Sequence, residues 1–309
     1  LHYFSNQEVD VAVIETGLGG RLDSTNVIDP ELTVITSIDL DHQHILGETL
    51  IDIATEKAGI IKPKSRVIVS PQEGSAFETV MDRCRKFDSE VVALGRDVTW
   101  QRKEFDFHGQ EATIHTLART YNVWLPLLGA HQIENAAAAI SAVEATGWDI
   151  SEDDIVAGIK NVKWDGRLQV LSPSPLVVVD GAHNPHSIER LVQAVQEYLN
   201  PQRTWLVFGS SSDKDLSGMV EAIAPIVHKG FVCESRHPRA IPIETLKKAF
   251  FAKGVKMDES PNVGEALSYA LNHANERDLI LVTGSLFVVS EALEAWFGIE
   301  PEMYPELNR

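Results

Sequence analysis

The 309-residue chain is 44% hydrophobic, enough for substantial cores, and its length favours two domains over one. Asp and Glu outnumber Lys and Arg 45 to 27, and the resulting formal charge of −18 argues against nucleic-acid or acidic-membrane partners. The two distant cysteines, Cys84 and Cys233, exclude a disulfide framework or zinc spacing; with no apolar run near membrane-span length and no signal peptide, a cytoplasmic enzyme is expected.

In chain order, VDVAVIE (9–15) and LTVITSI (32–38) are short β-branched runs of the kind buried in parallel sheets. As neighbouring strands they would put Glu15 and His42 at one carboxyl edge, where open α/β sheets bind ligands. Between them GLGGRLDSTN (17–26) is a glycine-rich turn without the Lys-Ser/Thr of a Walker A loop. TLIDIATEKAGII (49–61) has helical spacing and stops at Lys62-Pro63. RVIVS (66–70) is a predicted strand, and an amphipathic helix is predicted from about Ser75 to Phe87. From Val91 to Leu127 the segments VVALG, DVTW, EFDFHG, ATIHTL and VWLPLL suit an antiparallel annex. GAHQIENAAAAISAVEATG reads as an alanine-rich helix stopped by Gly147. A shorter helix follows Ser151, an N-cap with acidic residues in the next turn.

The polar, proline-bearing KWDGRLQVLSPSP then reads as a linker. Beyond it the strands LVVVD, TWLVFG, GFVCES and LILVTGS alternate with helices near 185–199, 215–224, 243–253, 263–275 and 286–297. That alternation predicts a second, mostly parallel α/β layer.

Several residues carry chemistry. Glu15 closes an apolar run, where a carboxylate costs free energy unless it is paired, solvated or on a metal. A hard Mg²⁺ takes oxygen ligands, usually one or two carboxylates plus phosphate and water. His42 alone reads as a hydrogen-bonded loop residue, since histidine is an unusual Mg²⁺ ligand. Lys57 reads either as an exposed helix lysine or as a group at a phosphate site. Asp180, at the strand end in VVVDGAHNP, suits a turn or cap. Lys214 and Arg239 are either solvated loop charges or cationic partners for a substrate carboxylate.

ETGLGGRLDSTNV, SIDLDHQHILG, IATEKAGIIKP, LLGAHQIENAAAA, GRLQV, VVDGAHNPHS, VFGSSSDKD and TGSLF occur in that order over nearly the whole chain. Together they resemble the folylpolyglutamate synthase / dihydrofolate synthase family of the Mur ligase superfamily. The resemblance implies an α/β fold in two parts. A P-loop-type ATPase domain, mostly parallel with a small antiparallel annex, would span 1–165. A Rossmann-like glutamate-ligase domain would span 166–309. The implied reaction joins L-glutamate to 7,8-dihydropteroate, a reduced folate or both, with ATP, through an acyl phosphate, and the implied state is a monomer. Mg²⁺ accompanies ATP, two ions being expected, and a monovalent cation is a further candidate.

By position, Glu15 and His42 match Mg²⁺ ligands of that family. Lys57 matches a lysine that is carbamylated there, so that its new carboxylate helps hold the second ion. CO₂ reacts only with neutral amine, and neutralising a lysine of reference pKa ~10.4 at pH 7 costs roughly 4–5 kcal/mol, a cost that burial lowers. Asn135 matches an adenine contact, for which an amide offers both donor and acceptor. Arg167 matches an arginine that reaches the γ-phosphate, where its fork suits developing charge. Asp180 matches a nucleotide contact and His183 a glutamate contact. Ser285 resembles a residue near the incoming glutamate, although Phe287 stands where an aromatic with a polar tip is common. Catalysis is thus expected of Lys57, Arg167 and His183, ATP binding of Asn135, Arg167 and Asp180, and glutamate binding of His183 and Ser285.

One departure is large. Family members carry a GTNGKGS-type P-loop before the GLGG segment, whereas this chain begins LHYFSNQEVD without an initiator methionine. It is therefore expected to be an N-terminally truncated ligase with little activity alone. Another Mur-type amino-acid ligase and a nucleotide-binding fragment are the competing readings. A dehydrogenase is disfavoured, because GLGGRL lacks G-x-G-x-x-G spacing before a helix.

Overall fold

The computed structural model describes residues 1–301, which group into two compact units. Residues 1–103, 112–123 and 131–159 form the first; residues 104–111, 124–130 and those from 160 onward form the second. The expected second domain, drawn to residue 309, runs past the described residues.

The first unit opens with a short helix, α1 (His2–Asn6). Its main sheet is parallel, with β1 (Leu32–Ile35), β2 (Arg66–Val69) and β3 (Glu90–Ala93) side by side in that order. Helices α2 (Gln43–Leu46) and α3 (Leu50–Ala58) connect β1 to β2, and α4 (Gly74–Lys86) connects β2 to β3. Thr49 and Asp52 cap α3 reciprocally, satisfying two of its free N–H groups. Ala76, Val80 and Cys84 recur every four residues on α4 and join Val67, Val69, Ile53 and Ala54 in one buried cluster.

Two expectations fail here. Val9–Glu15 is not a strand: Val13 is 91% exposed and the run pairs with nothing among the described residues. A β-branched run only proposes a strand, and a hydrogen-bonding neighbour is needed to make one. VVALG, assigned to the annex, instead supplies the third strand of the main sheet. The annex is β4 (Thr99–Asp106), β5 (Gly109–His115) and β6 (Thr120–Leu125), with a two-residue turn at 107–108 that suits antiparallel neighbours. Helix α5 (Ala130–Thr146) follows and is stopped by Gly147 at φ +73°; Ser151 caps α6 (Glu152–Lys160) by accepting the Asp154 N–H at 3.2 Å.

The second unit carries a six-stranded sheet. In chain order its elements are β7 (Gln169–Pro173), β8 (Leu176–Val179), α7 (Pro185–Ala194), β9 (Thr204–Phe208), α8 (Leu216–Ile223), β10 (Lys229–Val232), α9 (Ile243–Ala252), β11 (Asp258–Glu259), α10 (Val263–His273), β12 (Leu279–Thr283) and α11 (Leu286–Phe297). Across the sheet the order is β11-β10-β9-β12-β8-β7, parallel except for β7. The expected linker therefore supplies an edge strand, where Pro173 at its end removes no ladder bond the sheet needs.

All five residues of β9 and all five of β12 are buried, as central parallel strands covered on both faces should be. Alternate residues serve opposite faces. Val178, Leu206, Phe208 and Leu281 join the cluster of α7, α8 and α9, while Val177, Val179, Val207 and Val282 join that of α10 and α11. The neighbouring strands β8 and β12 thus send their following helices, α7 and α11, to opposite faces. That divergence opens a crevice at their carboxyl ends, the place where such sheets bind ligands. Among the described residues no helix is long and apolar enough to cross a membrane.

Candidate active site

In the first unit, Asp23 folds the glycine motif on itself. One carboxylate oxygen accepts the N–H groups of Gly17 (2.9 Å) and Leu18 (3.0 Å); the other accepts the Thr25 hydroxyl (2.6 Å) and N–H (2.9 Å). The Thr25 hydroxyl, then the backbone donors, hold the Asp23 carboxyl down to about 2. This turn is a clamp on two helices. Gly19, at φ +66°, leaves no room for a side chain against Leu46 of α2, and a Cβ on Gly20 would lie 2.9 Å from the carbonyl oxygens of Glu56 and Lys57 in α3. Arg21 donates its N–H to the Glu56 carbonyl at 2.8 Å and pairs with the Glu56 carboxylate at 2.9 Å.

The segments bearing Glu15, His42 and Lys57 are therefore brought together through glycine contacts. The side chains are not equally placed. Glu15 is exposed, and Lys57 is half-buried in the last turn of α3. His42 is left-handed (φ 52°) at the start of α2, its N–H on the Asp41 carboxylate at 2.8 Å and its Nε2 3.9 Å from that carboxylate. Among the described residues no three His, Cys, Asp or Glu side chains group as a metal site. This donor set fits an ion held largely by nucleotide phosphates and water rather than a protein cage. Asn135 is exposed on the second turn of α5, and its amide donates to Gln132 at 3.1 Å.

In the second unit the expected residues converge more tightly. Asp180 follows β8 directly and accepts the Leu168 N–H (2.7 Å) and the Ala182 N–H (2.8 Å), while Gly181 donates to the Gly166 carbonyl (2.8 Å). These bonds lock the GRL segment carrying Arg167 against the DGAHNP turn. Burial pushes the Asp180 carboxyl above its usual range; the two N–H donors and the nearby Arg167 and His183 side chains oppose it.

Asn184 then caps α7 by accepting the Ser187 N–H at 2.8 Å, and Pro185 occupies the first helical position, where its missing N–H costs nothing. His183 Nδ1 lies 2.8 Å from the Gly181 carbonyl. A carbonyl only accepts, so Nδ1 carries the proton and Nε2 of the neutral ring keeps its lone pair. Across the crevice, buried Ser285 caps α11 by accepting the Phe287 N–H at 3.2 Å. Gly284 at φ +100° turns the chain and donates to the Ala182 carbonyl at 3.1 Å, binding the TGS turn to DGAHNP.

Lys214 and Arg239 both approach Asp213, at 3.9 and 3.8 Å. Sequence reasoning missed His237, which is buried and stacked on Phe287; only its place after a strand, in SRHPRA, could have suggested it.

The DGAHNP turn at the carboxyl edge of a parallel sheet, preceded in the chain by a unit with a clamped glycine motif, is the layout of a Mur-type ligase. Residues 1–143 match the Mur ligase middle domain, and residues 166–286 match the Mur ligase glutamate ligase domain. The dihydrofolate synthase/folylpolyglutamate synthase of Bacillus subtilis is 31% identical over 94% of this chain and 68% of its own length. E. coli FolC in complex with DHPP and ADP superposes with a TM-score of 0.87 at 31% identity, covering 96% of this chain and 68% of that one. The chain belongs to the folylpolyglutamate synthase / dihydrofolate synthase family. A probable bifunctional folylpolyglutamate synthase/dihydropteroate synthase of Halobacterium salinarum is 36% identical over 96% of this chain, which spans 36% of that protein.

Proposed function

We propose that the protein is an ATP-dependent ligase that joins L-glutamate to a folate-type carboxylate, dihydropteroate or a reduced folate. The observation that carries this reading is the Asp180 lock, which fixes Arg167 beside the turn holding His183 and next to the Ser285 turn. A B. subtilis relative with that activity in its name, and a FolC complex holding both DHPP and ADP, support it.

In this reading Asn135 holds the adenine edge and Asp180 steadies the nucleotide side of the crevice. The folate carboxylate attacks the γ-phosphorus in line, breaking its bond to ADP and forming an acyl phosphate. Arg167 offsets the charge that builds on the transferring phosphoryl group. The glutamate ammonium gives a proton to His183 Nε2, and the free amine then attacks the acyl carbon, breaking its bond to the phosphate oxygen; phosphate leaves with the nitrogen's second proton. Mg²⁺ would be held by Glu15, His42 and a carbamate formed on Lys57, two ions in all, and would neutralise phosphate charge. A monovalent cation would complete the ion set. The domains divide at 165/166, and the protein works as a cytoplasmic monomer; its two thiols, Cys84 and Cys233, are buried and held up at about 11 and 12 by burial, which suits an inert structural role.

The test is direct. Labelled L-glutamate should enter a dihydropteroate or tetrahydrofolate product, with one ADP and one phosphate released per amide. Incorporation only into UDP-muramyl peptides, or nucleotide binding with no amide formed, would overturn the proposal.

A further inference from the structure

Between β1 and α3 the chain passes through His42 on an arch with two buried feet. Ile38, just past β1, and Leu46, the last residue of α2, both belong to the buried cluster of α3 and α4. Between the feet Leu40 and Ile45 are exposed, and His42 takes its left-handed turn at φ 52°. The Leu46 foot stands against Gly19 of the glycine motif, and its N–H donates to the His42 carbonyl at 3.0 Å.

The Ile38 foot is held by a side chain from the far end of β2. Gln72 Oε1 accepts the Ile38 N–H at 2.7 Å, and Gln72 Nε2 donates to the Thr36 carbonyl at 2.8 Å. An N–H only donates and a carbonyl only accepts, so these two partners fix which way the amide faces. A residue on a neighbouring parallel strand makes the same pair of bonds, to a carbonyl and to the N–H two residues further on. A backbone rung precedes it, from the Ser70 N–H to the Ile35 carbonyl at 2.9 Å. The Gln72 side chain therefore adds a rung to the β1–β2 ladder beyond both strands and fixes where the arch begins. Past that point the Asp39 carboxylate accepts the Leu40 N–H and the Asp41 carboxylate accepts the His42 N–H, each at 2.8 Å. The path from the foot to His42 is thus pinned at its start and at its end.

We propose that Gln72 is a positioning residue of the metal edge: by holding Thr36 and Ile38 it sets where His42 stands toward Mg²⁺, without touching the ion itself. The inference rests on the reading of His42 as a Mg²⁺ ligand given above. Mg²⁺ demands near-ideal octahedral geometry at about 2.0–2.1 Å, so a ligand on a loosened arch binds it poorly.

Gln72→Met keeps the length of the side chain and removes both amide bonds. With the protein at its natural length, binding of an ATP analogue that cannot transfer its γ-phosphate is measured by calorimetry with and without Mg²⁺. In Gln72→Met the gain in affinity that Mg²⁺ brings should fall about tenfold. Affinity without the metal should stay near wild type, and amide hydrogen exchange should quicken over residues 36–42. Losing two hydrogen bonds also lowers stability, so Val80→Ala, a buried change on α4 in the same cluster, is the control. It should lower the unfolding midpoint and keep the full Mg²⁺ effect. An undiminished Mg²⁺ effect in Gln72→Met overturns the proposal, and so does an equal loss in Val80→Ala or an equal loss of metal-free affinity. His42→Ala separates the two readings. If it keeps the full Mg²⁺ effect, the ligand reading of His42 fails and the positioning role with it; if it loses the effect while Gln72→Met keeps it, the positioning role alone fails.

Discussion

Asp180 shows how one carboxylate can organise a site it does not dominate chemically. Its two oxygens take two backbone N–H groups from opposite sides, one from the GRL segment and one from the DGAHNP turn. Burial raises its pKa in the fold, so the native state binds a proton more readily than the unfolded chain. The resulting stability is present in acid and is lost as pH rises through the folded value. Ionising this buried group is thus a cost, which its two N–H donors and Arg167 oppose. Removing it should still destabilise, because Leu168 and Ala182 would keep their N–H groups without an acceptor. Asp180→Ala should cost about 1–3 kcal/mol by urea unfolding. Asp180→Asn should cost about as much, since its NH₂ must face one of two donors. A near-neutral Asp180→Asn would show that a single acceptor suffices. By contrast, the pairing of His237 with Phe287 was not legible in the chain: stacking partners 50 positions apart leave no local pattern.

At the scale of elements, the regular helices of the second half fell where spacing put them, because each is amphipathic and most are capped by the residue before them. Asn184, Asp215, Asn262 and Ser285 all accept an N–H from the first turn. What failed was strand pairing. VDVAVIE has strand chemistry but no paired edge, and QVLSP looks like a linker but finds β8. Composition records side-chain preference, whereas pairing is a property of distant neighbours. The glycine motif was similarly half legible. Its turn was visible in the sequence, but its grip on α3 was not. That grip gives a paired test. Gly20→Ala would press a methyl onto two carbonyl oxygens of α3 and should destabilise by about 1–3 kcal/mol. Gly158→Ala, in α6 with nothing within 4 Å, should stabilise by about 0.5–1 kcal/mol. Equal effects at the two sites in chemical denaturation would mean that Gly20 does not clamp the helix.

At the scale of the whole molecule, charge sets a problem that the site must solve. The chain carries −18, yet ATP, glutamate and a folate are all anions. The long-range field therefore repels every substrate in the proposed reaction, while Arg167, Lys214 and Arg239 attract them only at short range. The two distances can be separated by salt. A Debye length of about 30 Å at 0.01 M shrinks to about 8 Å at 0.15 M, which removes the distant repulsion and spares partly buried contacts. Raising ionic strength over that range should increase kcat/KM for L-glutamate, the reverse of an electrostatically steered enzyme. Choline chloride is the salt to use, because potassium or sodium could act as a bound cation in its own right. A rise confined to kcat/KM, with kcat unchanged, would place the effect in substrate capture. A fall over the same range would mean that the local cations at the carboxyl edge already reverse the field in the crevice, and that the acidic surface has no say in how substrates arrive.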